Sequence, residues 1–123
     1  MGAQSRDRSP SHFLPLTDLA FNILVALCDE ERHGYALIKE LRTRTGRERL
    51  RTGTVYAALA RLQDDDLVTE AGERTPSPGS DERRRYYRAT TLGVSAARAE
   101  AARLTEVLGI AREKDLTPVG SGG

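Results

Sequence analysis

Thr54, Arg61 and the triplet Arg83, Arg84 and Arg85 are the side chains of this chain best placed for chemistry, and that chemistry is hydrogen bonding to polar edges and anions. In the stretch Thr52 to Leu62, TGTVYAALARL, the residues Val55, Tyr56, Leu59 and Leu62 recur at helical spacing and form an apolar face. The other face carries Thr54, Ala57, Ala58 and Arg61. It lacks the Glu/Lys mix of a solvated helix, and its small residues let a partner approach closely. Bond-breaking chemistry finds no support. No nucleophile, base and orienting group occur together, and there is no phosphate loop. Cys28, His12 and His33 have no metal-ligand spacing, so neither an enzyme nor a cofactor is expected.

Charge narrows the kind of partner. The net charge is only +1, yet Lys39, Arg42, Arg44, Arg47, Arg49 and Arg51 are offset by Glu40 and Glu48 alone, and Arg83, Arg84, Arg85 and Arg88 form a second cluster. Acidic residues gather elsewhere, at Asp29 to Glu31 and Asp64 to Asp66. One arginine run is ordinarily a solvated face. Two runs flanking a helix with a small-residue face point to a polyanion.

The elements that must position these groups follow from periodicity. A chain of 123 residues with 38% hydrophobic and 30% charged content makes one globular domain. The longest apolar run, Leu19 to Cys28, is broken by Asn22 and followed by Asp29, so no membrane span is expected. The start, MGAQSRDRSPSH, lacks an apolar signal core, which makes the cytoplasm the expected compartment. Residues 1–15 read as a flexible arm. Thr17 is a plausible N-cap for a first helix ending near Cys28, with Leu16, Leu19, Ala20, Ile23, Leu24 and Leu27 on one face and Phe21, Val25 and Cys28 on another. A helix apolar on nearly all sides needs cover on nearly all sides, which suggests a second subunit. Cys28 is either a small buried hydrophobe or a thiol sensor pairing across a dimer.

His33-Gly34-Tyr35 opens a second helix with Tyr35, Ile38 and Leu41 facing the core and Gly46 as its stop. The third helix begins at Thr52 as N-cap and ends near Asp66. Leu67 to Thr69 and Arg85 to Ala89 read as strands joined by the turn-forming run TPSPGSD. Thr90 or Thr91 caps a last helix, in which Val94, Ala97, Ala101, Leu104, Leu108 and Ala111 form a seam of period near 3.5. That seam packs either on its own core or on a second copy; its small residues favour the second. Residues 115–123 read as a disordered tail. The order is three helices, a hairpin and a helix. It predicts a mostly α fold with a small β-hairpin, a winged helix-turn-helix over 16–90 and a C-terminal dimerisation helix over 91–114. The exposed face of the third helix then meets base edges: Ala57 or Ala58 a thymine methyl, Thr54 a base edge or phosphate, Arg61 guanine or the backbone.

The run GTVYAALARLQDDDLV, preceded by HGYALIKEL and followed by RRRYYRATTLG, resembles the PadR family of bacterial transcriptional regulators. The resemblance covers about Leu16 to Ala111. Departures are Asp66, where the family's helix exit usually has Gly, and Ala89, where Leu is common. The short single last helix is similar to the compact PadR-like subgroup. The resemblance implies a homodimeric repressor on a pseudo-palindromic double-stranded DNA operator, with recognition positions at Thr52, Gly53, Thr54, Tyr56 and Arg61 and wing contacts at Arg83, Arg84 and Arg85. Tyr56 and Tyr35 each serve either as packing or as DNA contacts. Dimerisation falls on Phe21, Val94, Ala97, Ala101, Leu104 and Leu108. The resemblance also implies release by an aromatic small-molecule effector in the dimer interface, where Phe21 is the one well-placed aromatic. The residues leave a second reading open, a winged-helix protein-docking module without specific DNA binding.

Overall fold

The computed structural model describes residues 9–118. A 3-10 turn, Pro10–Phe13, leads into α1, Asp18–Cys28, where the Thr17 hydroxyl accepts the Ala20 N–H at 3.1 Å. A two-residue strand β1, Arg32–His33, precedes α2, Gly34–Thr45, and α3, Thr52–Asp64. The hairpin strands are β2, Val68–Arg74, and β3, Arg84–Ala89; α4, Thr91–Glu113, ends the fold.

Apolar spacing explains the packing. Ile23, Leu24, Ala26 and Leu27 of α1, Leu37, Ile38 and Leu41 of α2, and Val55, Leu59 and Leu62 of α3 converge with Leu67, Val68, Tyr87, Ala89, Ala96 and Ala97 in one core. In α2 and α3 the buried positions recur once per helical turn, with Leu37 and Ile38 side by side in α2, so one stripe is removed from water and the opposite face stays free. The sheet is antiparallel with order β1-β3-β2. A bulge between Glu70 and Glu73, with Gly72 at φ 106°, bends β2 away from its partner.

The root of the hairpin is locked onto α4 by Thr90. Its hydroxyl donates to the Asp66 carbonyl at 2.6 Å and accepts the Gly93 N–H at 2.9 Å, while its own N–H donates to the Leu67 carbonyl at 3.0 Å. Gly93 lies so close that a Cβ there would overlap the Leu67 carbonyl oxygen, which explains a glycine inside a helix. Asp66, standing where a Gly is usual in the exit, takes a left-handed φ of 62°.

Several expectations are corrected. Thr52 is not the N-cap of α3: Arg51 holds that position in extended backbone and offers no side-chain cap, so Thr52 is the first helical residue. Tyr35 leaves the core at 60% exposure, because the buried stripe of α2 runs through Gly34, Leu37, Ile38 and Leu41. The loose arm does not extend to Pro15: residues 10–13 form a turn, and Phe13 and Leu16 pack against the core. The C-terminal seam divides. Ala97 is buried inside the protomer and Val94 packs against its core, whereas Ala101, Leu104 and Leu108 are exposed, since only the first turns of α4 lie over α1 and the sheet. Both strands are longer than expected at their hairpin ends, and β1 was not expected at all. The tail expected to be disordered lies, beyond residue 118, outside the described residues.

Candidate nucleic-acid interface

The turn between α2 and α3 is built by hydrogen bonds that consume part of the basic cluster. Gly46 ends α2 in the left-handed conformation, φ 70°. Arg42 donates through Nε and Nη2 to the Leu50 carbonyl, at 3.0 and 2.7 Å, and so holds the loop that launches α3. Arg44 pairs with Glu40 at 2.9 Å and Arg47 with Asp18 at 3.3 Å. Lys39, Arg49, Arg51 and Arg61 are exposed and form no ion pair or side-chain hydrogen bond with any described residue. Arg49 and Arg51 were absent from the expected contacts. They could be seen as part of a basic run, but which of its members remain unpaired depends on the fold.

Along α3, Thr52, Gly53, Thr54, Ala57, Ala60 and Arg61 are all exposed, opposite the buried Val55, Leu59 and Leu62. At about 100° per residue, Gly53, Ala57, Ala60 and Arg61 fall on the side away from the core, so the outer surface is low and carries one cation. Ala60 belongs to it and was missed; Ala58 turns partly inward and packs against the core. Tyr56 is half exposed, and its phenol lies over the start of α2, where a Cβ on Gly34 would overlap its hydroxyl. It therefore packs along one edge and remains open on the other. That contact gives the glycine of the HGY segment a physical reason.

His33 caps α2: its Nδ1 accepts the Ala36 N–H at 3.2 Å. Burial, and then the charge of Arg84, push its pKa below the ordinary histidine value, which keeps the ring neutral and the cap intact. The His33 ring stacks on Tyr35, with centroids 6.4 Å apart, and meets Tyr86 edge-on at 5.3 Å. The Arg84 guanidinium lies 5.5 Å from the Tyr35 ring centre. The structure thus brings Tyr35 and Arg84 together where the wing meets the start of α2.

Arg83, Arg84 and Arg85 have glutamate partners on their own hairpin, whereas the exposed Arg88 of β3 has none among the described residues. Arg83 pairs with Glu73 at 3.6 Å and donates to its carbonyl at 2.8 Å; Arg85 pairs with Glu70 at 3.6 Å. Arg84 pairs with Glu82 at 2.9 Å, while its buried Nε finds no hydrogen-bond acceptor among the described residues. Arg74 covers the Tyr86 ring at 3.6 Å and reaches Glu31. No hydrogen bond or ion pair joins Arg83 or Arg85 to α3 among the described residues. The arrangement can offer hydrogen bonds and positive charge to a duplex, and nothing in it resembles a catalytic array. No group of three His, Cys, Asp or Glu could hold a metal ion among the described residues. Among the described residues, no helix is long and apolar enough to cross a membrane.

Of the expected dimerisation residues, Phe21 is half-buried on α1, and Leu104 and Leu108 are exposed on α4 together with Val107 and Ile110. Val25 on α1 is exposed too. Cys28 is exposed, but desolvation of its sulfur and the neighbouring Asp29 push its pKa up, so little reactive thiolate is present.

Comparison with known proteins agrees with this geometry. No curated protein matches the chain. A PadR-like transcriptional regulator from Bacillus cereus has the same fold, with a TM-score of 0.68 over 81% of this chain and 93% of that one at 22% identity. A PadR family transcription regulator from Clostridium difficile gives 0.66 over 79% and 97% at 23% identity. A PadR-like transcription factor from Bacteroides fragilis gives 0.62 over 77% and 87% at 26% identity. The sequence model of the transcriptional regulator PadR-like family matches residues 23–99, well over half the chain, and the protein therefore belongs to the PadR-like family of transcriptional regulators.

Proposed function

We propose that the protein is a homodimeric repressor that reads a pseudo-palindromic DNA site with the outer face of α3. The observation that carries this reading is the pairing of that low face, Thr52, Gly53, Thr54, Ala57 and Arg61, with unpaired cations at its start, Arg49 and Arg51. The small residues admit the helix to a major groove. Arg61 and Thr54 supply the hydrogen bonds that distinguish base edges. Tyr35 and Arg84 sit at the flank of the groove to meet phosphate, with Arg83 and Arg85 reaching the backbone from the wing. The second copy joins through α1 and the second half of α4, which leave Val25, Leu104, Val107, Leu108 and Ile110 exposed in one protomer. An aromatic effector would enter that interface beside Phe21.

Two-fold symmetry of the protein requires an inverted repeat in the DNA, with half-sites about one helical turn or a small multiple apart. Selection of bound sequences from a random duplex pool tests the reading. A recovered palindrome whose half-sites change in Thr54→Ala or Arg61→Ala supports it. Recovery of no motif, with binding lost at moderate salt, overturns it in favour of a protein-docking module.

A further inference from the structure

A groove of about 270 Å³ opens between the N-terminal segment and the flank of α3. Phe13, Leu16, Leu62 and Leu67 give it an apolar lining, and Arg61 and Asp65 stand on its α3 side. Its wall is anchored. Glu100 of α4, only 2% exposed, lies beside the Leu16 backbone, which favours its charged carboxylate. Arg103 grips the same carboxylate through Nε at 2.9 Å and Nη2 at 2.7 Å, and holds its pKa below the usual carboxylate range. The segment that closes the groove therefore rests against α4 beside a buried charge that is paired on its own helix.

Arg61 and Asp65 are one helical turn apart, about 6 Å along the axis. They form no ion pair with each other or with any other described residue. An apolar cleft edged by one free cation and one free anion is complementary to a molecule with both charges and an apolar body. We infer that this groove binds a large apolar α-amino acid, with its carboxylate on Arg61, its ammonium on Asp65 and its side chain over Leu16, Leu62 and Leu67. A simple carboxylate would meet Asp65 as a like charge, and a simple amine would meet Arg61. The size of the groove restricts the ligand to a small molecule.

Arg61 and Ala57 belong both to this groove and to the proposed base-reading face, so the inference rests on the DNA-binding reading for its regulatory half. A ligand that engages Arg61 removes it from DNA. By linkage, ligand and operator weaken each other by the same factor.

Calorimetric titration of the full chain without DNA tests the site, using L-phenylalanine, 3-phenylpropionate and 2-phenylethylamine as probes. Saturable binding of L-phenylalanine is expected, on the order of tenfold tighter than either singly charged analogue, a difference of about 1.4 kcal/mol. Arg61→Gln and Asp65→Asn should each abolish that preference without changing the unfolding temperature by more than a degree or two. Equal binding of the three probes, or no saturable heat from L-phenylalanine, overturns the site. Titration of a selected duplex with and without saturating L-phenylalanine tests the coupling: a rise in Kd of about 5-fold or more is expected, and an unchanged Kd overturns the regulatory half. Amino-acid binding by a protein that binds no duplex supports the groove while refuting the DNA reading. Duplex binding without amino-acid binding refutes the groove alone.

Discussion

Gly93→Ala tests the reasoning about how the wing is fixed to α4. The new Cβ would fall on the Leu67 carbonyl oxygen, a backbone atom that cannot swing aside, and would press the Leu24 side chain from 3.3 Å. Overpacking of this kind costs about 1–3 kcal/mol. Displacing the Leu67 carbonyl also weakens the bond it accepts from the Thr90 N–H, now 3.0 Å long. That loss adds about 0.5–1.5 kcal/mol. Alanine's better helix propensity returns up to about 1 kcal/mol. The expected net is a destabilisation near 2 kcal/mol, read as a lower urea midpoint at unchanged slope and fixed protein concentration. The control lies on the same helix. Gly109→Ala meets nothing within 4 Å, so it should stabilise by up to about 1 kcal/mol through propensity alone. If the two substitutions move the midpoint in the same direction by similar amounts, close approach at Gly93 is not what holds the junction.

Leu104→Glu with Leu108→Glu should place like charges in the proposed subunit contact and give monomers or insoluble protein; a well-folded dimer in sedimentation refutes the assignment. Arg85→Ala should weaken binding to all duplexes about equally and lower the salt slope by roughly 1, whereas Arg61→Ala should cost about 1–3 kcal/mol at one base pair and relax choice there. Uniform weakening by both, in binding assays across a set of single-base operator variants, would make Arg61 a phosphate contact. His33 has a lowered folded pKa, so its contribution to stability is full above the unfolded value of about 6.5 and is lost as pH falls from there through the folded value. His33→Asn keeps a capping side chain without the titration. The urea midpoint of the variant should therefore fall less between pH 7.5 and pH 5.5 than that of the parent chain, and equal falls refute the role of His33.

Much of the fold was legible because its signals are local. The Thr17 and Thr90 caps, the Gly46 stop and the apolar steps of α1 and α3 each involve residues within four positions of one another. The stripe of α2 was misassigned because Tyr35, Leu37 and Ile38 are all apolar enough to face inward, and only packing chooses among them. At α3, Thr52 has the side chain of a cap, but the backbone turns helical one residue earlier than a cap would require. The strand at Arg32–His33 is too short to carry any periodicity and exists because β3 offers a free edge there. Glu100 is polar by type and buried by circumstance, since the N-terminal turn that packs on this helix is far away in sequence. The outward face of α3 could be deduced from its period, whereas the glutamate partners of the wing arginines could not, because Arg83 meets Glu73 and Arg85 meets Glu70 only when the hairpin closes.

Those glutamates bear on how the proposed regulator would divide affinity from specificity. Arg83, Arg84 and Arg85 already have partners and must each exchange an ion pair for a phosphate, so each such contact contributes less than a free arginine would. With a net charge of only +1, long-range attraction to DNA is weak as well. Unpaired cations also stand at the start of α3, at Arg49 and Arg51, and beside its outer face, at Arg61. In the proposed complex, positive charge placed there would act only when the helix is seated in a groove, where the match of Thr54 and Arg61 to base edges would also decide the outcome. In the proposed dimer, weak attraction to arbitrary duplexes combined with two identical reading helices would make occupancy depend on both half-sites at once. A single half-site, or a mismatch in either, would then forfeit the linked contribution of the second head.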